Sequence, residues 1–277
     1  MSMSTLHSVM SGPIPIRLLT IAFVFLPSYY LAPVKEELER GIKVLDAGCG
    51  TGIWSLEMAK LYPASHFTGT DIVNVFEETI PKAPVNCNYE VANTLKGLPF
   101  QDGSFDYVFQ RFQTGCFRKT EWPLVIAELI RVTKPGGWLE LGELLALVDT
   151  QGTFFNAGPR TSDFHSRMVS MLSLRDIDLT WPANFKRVLE ESGMEEIGGK
   201  MVSVPVGWGP KDVAKVSMAN TEASYKSLKP SISVVMGLSD VDYDELIAGS
   251  LKEFVPYETY WNIDCVFSRK PVDGAAT

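Results

Sequence analysis

Three glycines alternate through Gly48-Cys49-Gly50-Thr51-Gly52, directly after the apolar run Val44-Leu45-Asp46-Ala47 and before a helical pattern that reaches about Leu61. Strand, glycine turn and helix make a corner that receives a nucleotide, because glycine lets the backbone turn sharply and approach a ligand closely. The spacing is G-x-G-x-G, which departs from the G-x-G-x-x-G of dinucleotide sites. Asp46 stands two residues before the first glycine. A carboxylate there accepts a hydrogen bond from an ammonium group, which nicotinamide dinucleotides lack. A second carboxylate, Asp71, ends the run His66-Phe67-Thr68-Gly69-Thr70, 19 residues past Gly52. At such a strand end a carboxylate grips both ribose hydroxyls. The alternative is a helix cap, and the strand–turn–helix–strand context favours the ribose.

The elements that must position these groups alternate along the chain. A short helix over 34–40 precedes the first strand and Gly41 stops it. A third strand is expected at 88–92 with Asn93 at its end, then Leu98-Pro99-Phe100 and a turn, Gln101-Asp102-Gly103-Ser104. The fourth strand, 104–109, delivers Gln110 and Arg111 to its end. Helix 122–132 carries a sheet-packing stripe of Leu124, Ile126, Ala127, Leu129 and Ile130. Lys134-Pro135-Gly136-Gly137 breaks it and forces a turn into strand 138–143, which ends on Glu143. Beyond Gln151, helices are expected over 162–174, 183–192, 212–225 and 240–254, with Pro230 and Gly237 in a linker between the last two. Strands over 200–206 and 259–268 complete the pattern.

Composition narrows the classes. At 277 residues, 45% hydrophobic and 21% charged, the chain can bury one large core. A net charge of −8 and a pI near 5.0 argue against nucleic-acid binding through phosphate contacts. Cys49, Cys87, Cys116 and Cys265 are widely spaced, which suggests neither a disulfide framework nor a zinc site and fits a reducing compartment. Residues 1–13 read as a disordered start. The apolar run 18–26 is too short to span a bilayer. As a secretion-signal core it is preceded by Arg17 but by almost no other positive charge, and no clean cleavage site follows. The other readings are a buried element leading into the domain and an atypical segment that packs poorly. No integral membrane anchoring is expected.

The corner and its surroundings resemble the class I S-adenosylmethionine (SAM)-dependent methyltransferases. The resemblance spans about residues 30–270 and is most specific over 43–143, through G-x-G-x-G, the acidic strand end, Leu-Pro-Phe, Phe-Asp-Tyr-Val and Arg-Val-Thr-Lys-Pro-Gly-Gly-Trp-Leu-Glu. Trp54, the helix end Glu57-Met58-Ala59-Lys60-Leu61-Tyr62-Pro63 and the helix with Trp122 are similar to the fungal LaeA-like group. That resemblance implies an α/β, Rossmann-like fold with a seven-stranded, mostly parallel sheet and helices on both faces. The final strand is then antiparallel, and helices within 151–256 form a lid. The domain covers 34–270, behind a segment at 1–33 that is partly disordered or covers the cofactor and before a disordered tail at 271–277.

The implied cofactor is SAM. Its expected contacts are Tyr30 from the covering segment, Asp46, Gly48, Cys49, Gly50, Thr51 and Gly52 in the turn, and Asp71 with Ile72 at the ribose. Asn93 and Thr94 meet the adenine, where many members carry aspartate, and Gln110 lies at the methionine end. Gln110-Arg111-Phe112-Gln113 lacks the Asn/Asp-Pro-Pro-aromatic sequence of DNA amino-methyltransferases, which argues against base methylation.

Methyl transfer is an in-line displacement in which the protein mainly positions the acceptor and excludes water. A base helps for a hydroxyl or ammonium acceptor. His165 is the histidine in the lid region and reads as a surface or core residue. No catalytic residue and no metal are assigned; Glu143 stands where it could orient an acceptor, and reads equally as a solvated carboxylate at a strand end. The aromatic residues Phe154, Phe155, Phe164, Trp181, Trp208, Tyr225 and Tyr257 suit either an apolar ligand or a core. The leading reading is a cytoplasmic or nuclear methyltransferase with a small-molecule acceptor, or else a protein side chain. The alternative is a weak or inactive regulatory relative that works through a protein partner. An NAD-dependent oxidoreductase is disfavoured by the glycine spacing and Asp46.

Overall fold

The computed structural model describes residues 29–145 and 154–272. The expectations placed on 1–13 and on the run 18–26 lie outside these residues. In chain order the elements are α1 (Lys35–Arg40), β1 (Lys43–Ala47), α2 (Ile53–Leu61), β2 (His66–Asp71), β3 (Cys87–Val91), β4 (Phe105–Arg111), α3 (Trp122–Val132) and β5 (Thr133–Leu145). There follow β6 (Phe154–Phe155), α4 (Pro159–Ser173), α5 (Phe185–Glu191), β7 (Glu195–Pro205), α6 (Lys211–Met236), α7 (Asp240–Glu253) and β8 (Tyr260–Arg269).

The sheet runs β3-β2-β1-β4-β5-β8, with β7 on the outer edge of β8. The first five strands are mutually parallel, and β8 is antiparallel to both β5 and β7. The two-residue β6 pairs with Tyr260 and Trp261, next to Asn262, where the last residue of β5 pairs. Because β7 holds the other edge of β8, β6 prolongs the line of β5. Seven columns therefore make a Rossmann-like α/β sheet. Strand order reverses between β1 and β4. Such a switch point opens a crevice beyond the carboxyl ends of the strands, and there the glycine turn and Gln110 stand together.

Alternation along the strands assigns the faces. On one face Trp54 of α2 stacks on Phe109, with ring centroids 4.0 Å apart, beside Tyr107 and Phe67. On the other, Trp122, Val125, Ile126 and Leu129 of α3 cover Leu45, Val108, Leu139 and Leu141. A third cluster gathers Phe164, Tyr225, Tyr243 and Phe254 from α4, α6, α7 and the turn after α7 against Val204 and Ile263. The carboxylate of Glu253 accepts hydrogen bonds from the backbone N–H groups of Arg160 and Thr161, at 3.0 and 2.8 Å. It thereby ties the end of α7 to the start of α4.

Two local expectations need correction. The linker around Pro230 is helix, since α6 runs unbroken to Met236. An interior proline costs a helix about 3 kcal/mol. Here Tyr225 and Ile232, on either side of it, are buried in one cluster, and Lys229 pairs with Asp244 of α7 at 2.9 Å. Tertiary packing thus outweighs local propensity. Residues 134–137 do not separate helix from strand, because β5 already starts at Thr133. They bulge between two registers, Phe105 opposite Thr133 and Tyr107 opposite Trp138.

Candidate active site

The turn after β1 is fastened to four neighbouring segments. The N–H groups of Gly48 and Cys49 both donate to the Thr70 carbonyl, at 2.7 and 2.8 Å. Asp71 Oδ2 accepts from Gly50 N at 2.9 Å, and its Oδ1 accepts from Val73 N at 3.2 Å. Thr79 Oγ1 donates to the Thr51 carbonyl at 2.6 Å. Gly52 caps α2 in the left-handed region, φ +73°, and its carbonyl accepts from Tyr89 Oη at 2.7 Å. Gln113 Nε2 reaches the Gly48 carbonyl at 3.2 Å. A Cβ on Gly48 would strike the Gln113 carboxamide, whereas one on Gly50 would meet nothing within 4 Å. The middle of the turn faces open space, and its flanks are packed.

Asp46, at the end of β1, is buried and accepts from Ser55 Oγ at 2.6 Å. Burial raises its carboxyl to about 6, opposed by the Ser55 hydrogen bond and by the Arg111 charge. Burial in turn lowers the Arg111 guanidinium to about 10, with Asp46 favouring its charged form. That guanidinium lies 5.3 Å from the ring centre of Phe109 and 5.6 Å from that of Phe112.

Because the Asp46 pKa is raised on folding, the native protein keeps a proton that the unfolded chain loses. Stability therefore falls as pH climbs from about 4 to about 6, and the buried charge costs about 1–3 kcal/mol above that window. Asp46→Asn is expected to raise stability by that amount at pH 7.5 and to change little at pH 4. Urea unfolding at the two pH values checks it. Equal effects at both would show that the charge is not what costs.

The remaining expected positions divide. Asn93 turns its Oδ1 to the N–H of Leu95, at 3.0 Å, and caps the short turn that begins at Thr94. Ile72 is exposed beside Asp71. Tyr30 packs away from the turn: its hydroxyl meets that of Tyr62 at 2.7 Å, beyond the far end of α2. Nine helical residues, about 13 Å, separate that end from Gly52. The segment is held there by Glu140, which accepts from Ala32 N at 2.7 Å and from Tyr107 Oη at 2.9 Å. Of the aromatic residues expected in the lid region, four are packed and Tyr257 is exposed. Trp181 stacks on Trp122, Phe155 stacks on Tyr260, and Phe164 and Tyr225 lie in the third cluster. Buried His165 shares a 2.8 Å hydrogen bond with Tyr225, and desolvation lowers its pKa to about 3.

On the α3 face the carboxamide of Gln110 is fully buried, and neither Oε1 nor Nε2 has a hydrogen-bond partner. Glu143 is equally buried. Its Oε2 accepts from Thr114 N at 2.8 Å and Thr114 Oγ1 at 2.7 Å, while Oε1 has no partner. Burial raises its carboxyl to about 7, opposed by hydrogen bonding from Thr114 and from the Gln113 backbone. Sequence reasoning missed Tyr89, Gln113, Thr114 and Glu140. The aromatic at 89, two residues into an expected strand, was the one local signal. Among the described residues no group of three His, Cys, Asp or Glu side chains could hold a metal ion, and no helix is long and apolar enough to cross a membrane.

Residues 44–137 match the family described as "Methyltransferase domain". That stretch is similar to a methyltransferase domain from β1 to the bulge in β5. Methyltransferase str3 of Strobilurus tenacellus is 27% identical over 69% of this chain and 66% of its own length. N-methyltransferase gliN of Aspergillus fumigatus is 26% identical over 87% of this chain and 86% of its own. The secondary metabolism regulator laeA of Coprinopsis cinerea is 27% identical over 82% and 59%. The chain spans between 54% and 66% of the length of the first curated relatives it matches. Among solved structures, the Haemonchus contortus phospholethanolamine N-methyltransferase 2, in complex with phosphomonomethylethanolamine and S-adenosylhomocysteine, superposes with TM-score 0.55 at 16% identity. That match covers 96% of this chain and 56% of the other. The cyclase SpnF superposes with TM-score 0.56 at 17% identity over 98% and 97%. At these identities the likeness establishes the Rossmann-like fold alone, and a fold hosts more than one chemistry.

Proposed function

We propose that this protein is a SAM-dependent methyltransferase acting on a small molecule, with the cosubstrate across the carboxyl ends of β1, β2 and β4. The observation that carries the reading is the pair of buried carboxylates, Asp46 and Asp71, on either side of a glycine turn whose middle is open. Asp46 offers negative charge to the amino group of the methionine moiety, and Asp71 has lone pairs for the ribose hydroxyls. The unpartnered carboxamide of Gln110 suits the methionine end. SAM supplies a methyl group on a sulfonium leaving group. The chain's part is to hold that group, to shut out water, and to cover the acceptor with α4, α6 and α7 as a lid. Among the described residues no helix is long and apolar enough to cross a membrane. The four widely spaced cysteines suit a reducing compartment, and we place the reaction in the cytoplasm or nucleus.

Calorimetric titration with S-adenosylhomocysteine (SAH) tests the reading. A micromolar dissociation constant, about −8 kcal/mol, is expected at pH 7.5. Binding weakens as pH falls through 6, because the Asp46 carboxylate that attracts the ligand's ammonium becomes protonated. A folded protein that takes up no SAH overturns the assignment. The resemblance to laeA favours a second reading, a regulator that binds SAM without turnover. SAH binding without transfer from radiolabelled SAM to any small-molecule or protein pool would select it.

A further inference from the structure

Three buried polar atoms without partners lie on one face of the sheet at one edge: Gln110 Oε1, Gln110 Nε2 and Glu143 Oε1. Gln110 is in register with Leu141, two residues before Glu143, which sets their Cα atoms about 8 Å apart by strand geometry. Leaving such atoms unpaired costs about 1–3 kcal/mol each. Natural proteins tolerate that where a ligand or water completes the bonds. Glu143 is also held in one orientation, because Thr114 binds its Oε2 twice and so fixes the direction of Oε1. Asp46 and Asp71 lie in the strands and turn that hold the cosubstrate. Glu143, at the end of β5, lies beyond them.

Resting on the methyltransferase reading above, we propose that Glu143, next to Gln110 at the methionine end, forms the polar wall of the acceptor subsite, with its Oε1 as general base. The acceptor class is a molecule whose methylated oxygen or nitrogen carries a hydrogen, a hydroxyl compound or an amine. The lone pair of that atom forms the new bond to carbon, and the carbon–sulfur bond pair stays on sulfur, leaving a neutral thioether. The acceptor's proton passes to Glu143 Oε1, so the positive charge of the sulfonium and the negative charge of the carboxylate disappear together. Burial brings this carboxyl to about 7, near the value that favours a general base at neutral pH. An acidic acceptor is disfavoured, since its charge would face that of Glu143.

Sinefungin tests this without knowledge of the acceptor. It carries an amine-bearing carbon in place of the methylated sulfonium, so its amine stands where the methyl group is delivered. In the wild type at pH 8 it is expected to bind about tenfold more tightly than SAH. E143Q keeps the shape and removes the charge, and is expected to cut that ratio about fivefold or more. At pH 6 the wild-type ratio is expected to fall at least threefold, a readout that requires no variant to fold. The groups around Glu143 are Cys116 after β4, Asp264 opposite it on β8 with Lys186 of α5 nearby, and Cys265. Burial pushes both thiols above this pH range. Protonation of Asp46 acts on both ligands alike and cancels in the ratio. In Asp264→Asn the pH effect is expected to persist. If both ligands bind and the ratio ignores E143Q and pH, the assignment of Glu143 is overturned. If neither binds, the cosubstrate reading falls, and the acceptor subsite with it.

Discussion

Asp71→Ala is expected to weaken SAH binding at least 100-fold, measured by calorimetry against the wild type at pH 7.5. Two effects combine. The carboxylate is 3% exposed and takes the N–H of Gly50 on one oxygen and that of Val73 on the other. Hydrogen bonds to a charged group contribute about 1.5–3 kcal/mol each, so its removal frees the middle of the turn. The same carboxylate is proposed to grip the ribose, and that contact goes too. Asp71→Asn separates the two, since its side-chain carbonyl can still accept from Gly50 while the charge is gone. An intermediate loss, about tenfold, is expected there. If Asp71→Ala binds SAH as tightly as the wild type, the ribose lies elsewhere.

Gly52→Ala is expected to be the most damaging single methyl group in the turn. The new Cβ would run into Tyr89 Cε1, on a backbone at φ +73°. The ring cannot swing away freely. It stacks on Phe76 with centroids 5.2 Å apart, and its hydroxyl is bonded to the Gly52 carbonyl itself. Left-handed backbone costs a non-glycine residue about 1–2 kcal/mol, and overpacking adds about 1–3 kcal/mol. A total of about 3 kcal/mol lowers Tm by about 6–12 °C in a chain of this size. Gly50→Ala is the contrast. Its φ is +54°, and its Cβ meets nothing within 4 Å, so about 1 kcal/mol is expected, with loss of SAH binding because the methyl enters the ligand's space. Equal Tm values for the two variants would refute the packing argument.

The parts of this architecture that were legible in the sequence are those written in contiguous residues. The turn from Gly48 to Gly52, the strand ending on Asp71 and the helix from Trp122 each carry their cause within a dozen positions. The fastening of the turn and of Glu143 does not. Tyr89, Gln113 and Thr114 act on residues 37, 65 and 29 positions away, and no local pattern distinguishes a tyrosine that bonds a distant carbonyl from one that fills a core. Tyr30 shows the converse: its place in the chain suited a cofactor cover, but Glu140 pins the neighbouring backbone where the ring meets Tyr62. Helix propensity failed at Pro230 because packing against α7 lay outside any local window.

The third cluster has an evolutionary consequence. Phe164, Tyr225, Tyr243 and Phe254 share a core that meets the sheet through β7 and β8, while the glycine turn, Asp46 and Asp71 belong to strands on the opposite side of β4. Drift inside the helical cluster can reshape whatever it covers while the turn's fastening bonds stay intact. Such a division lets one scaffold diversify its chemistry by changing the C-terminal half alone, while residues 43–113, which carry the turn and its fastening bonds, pass on as a unit.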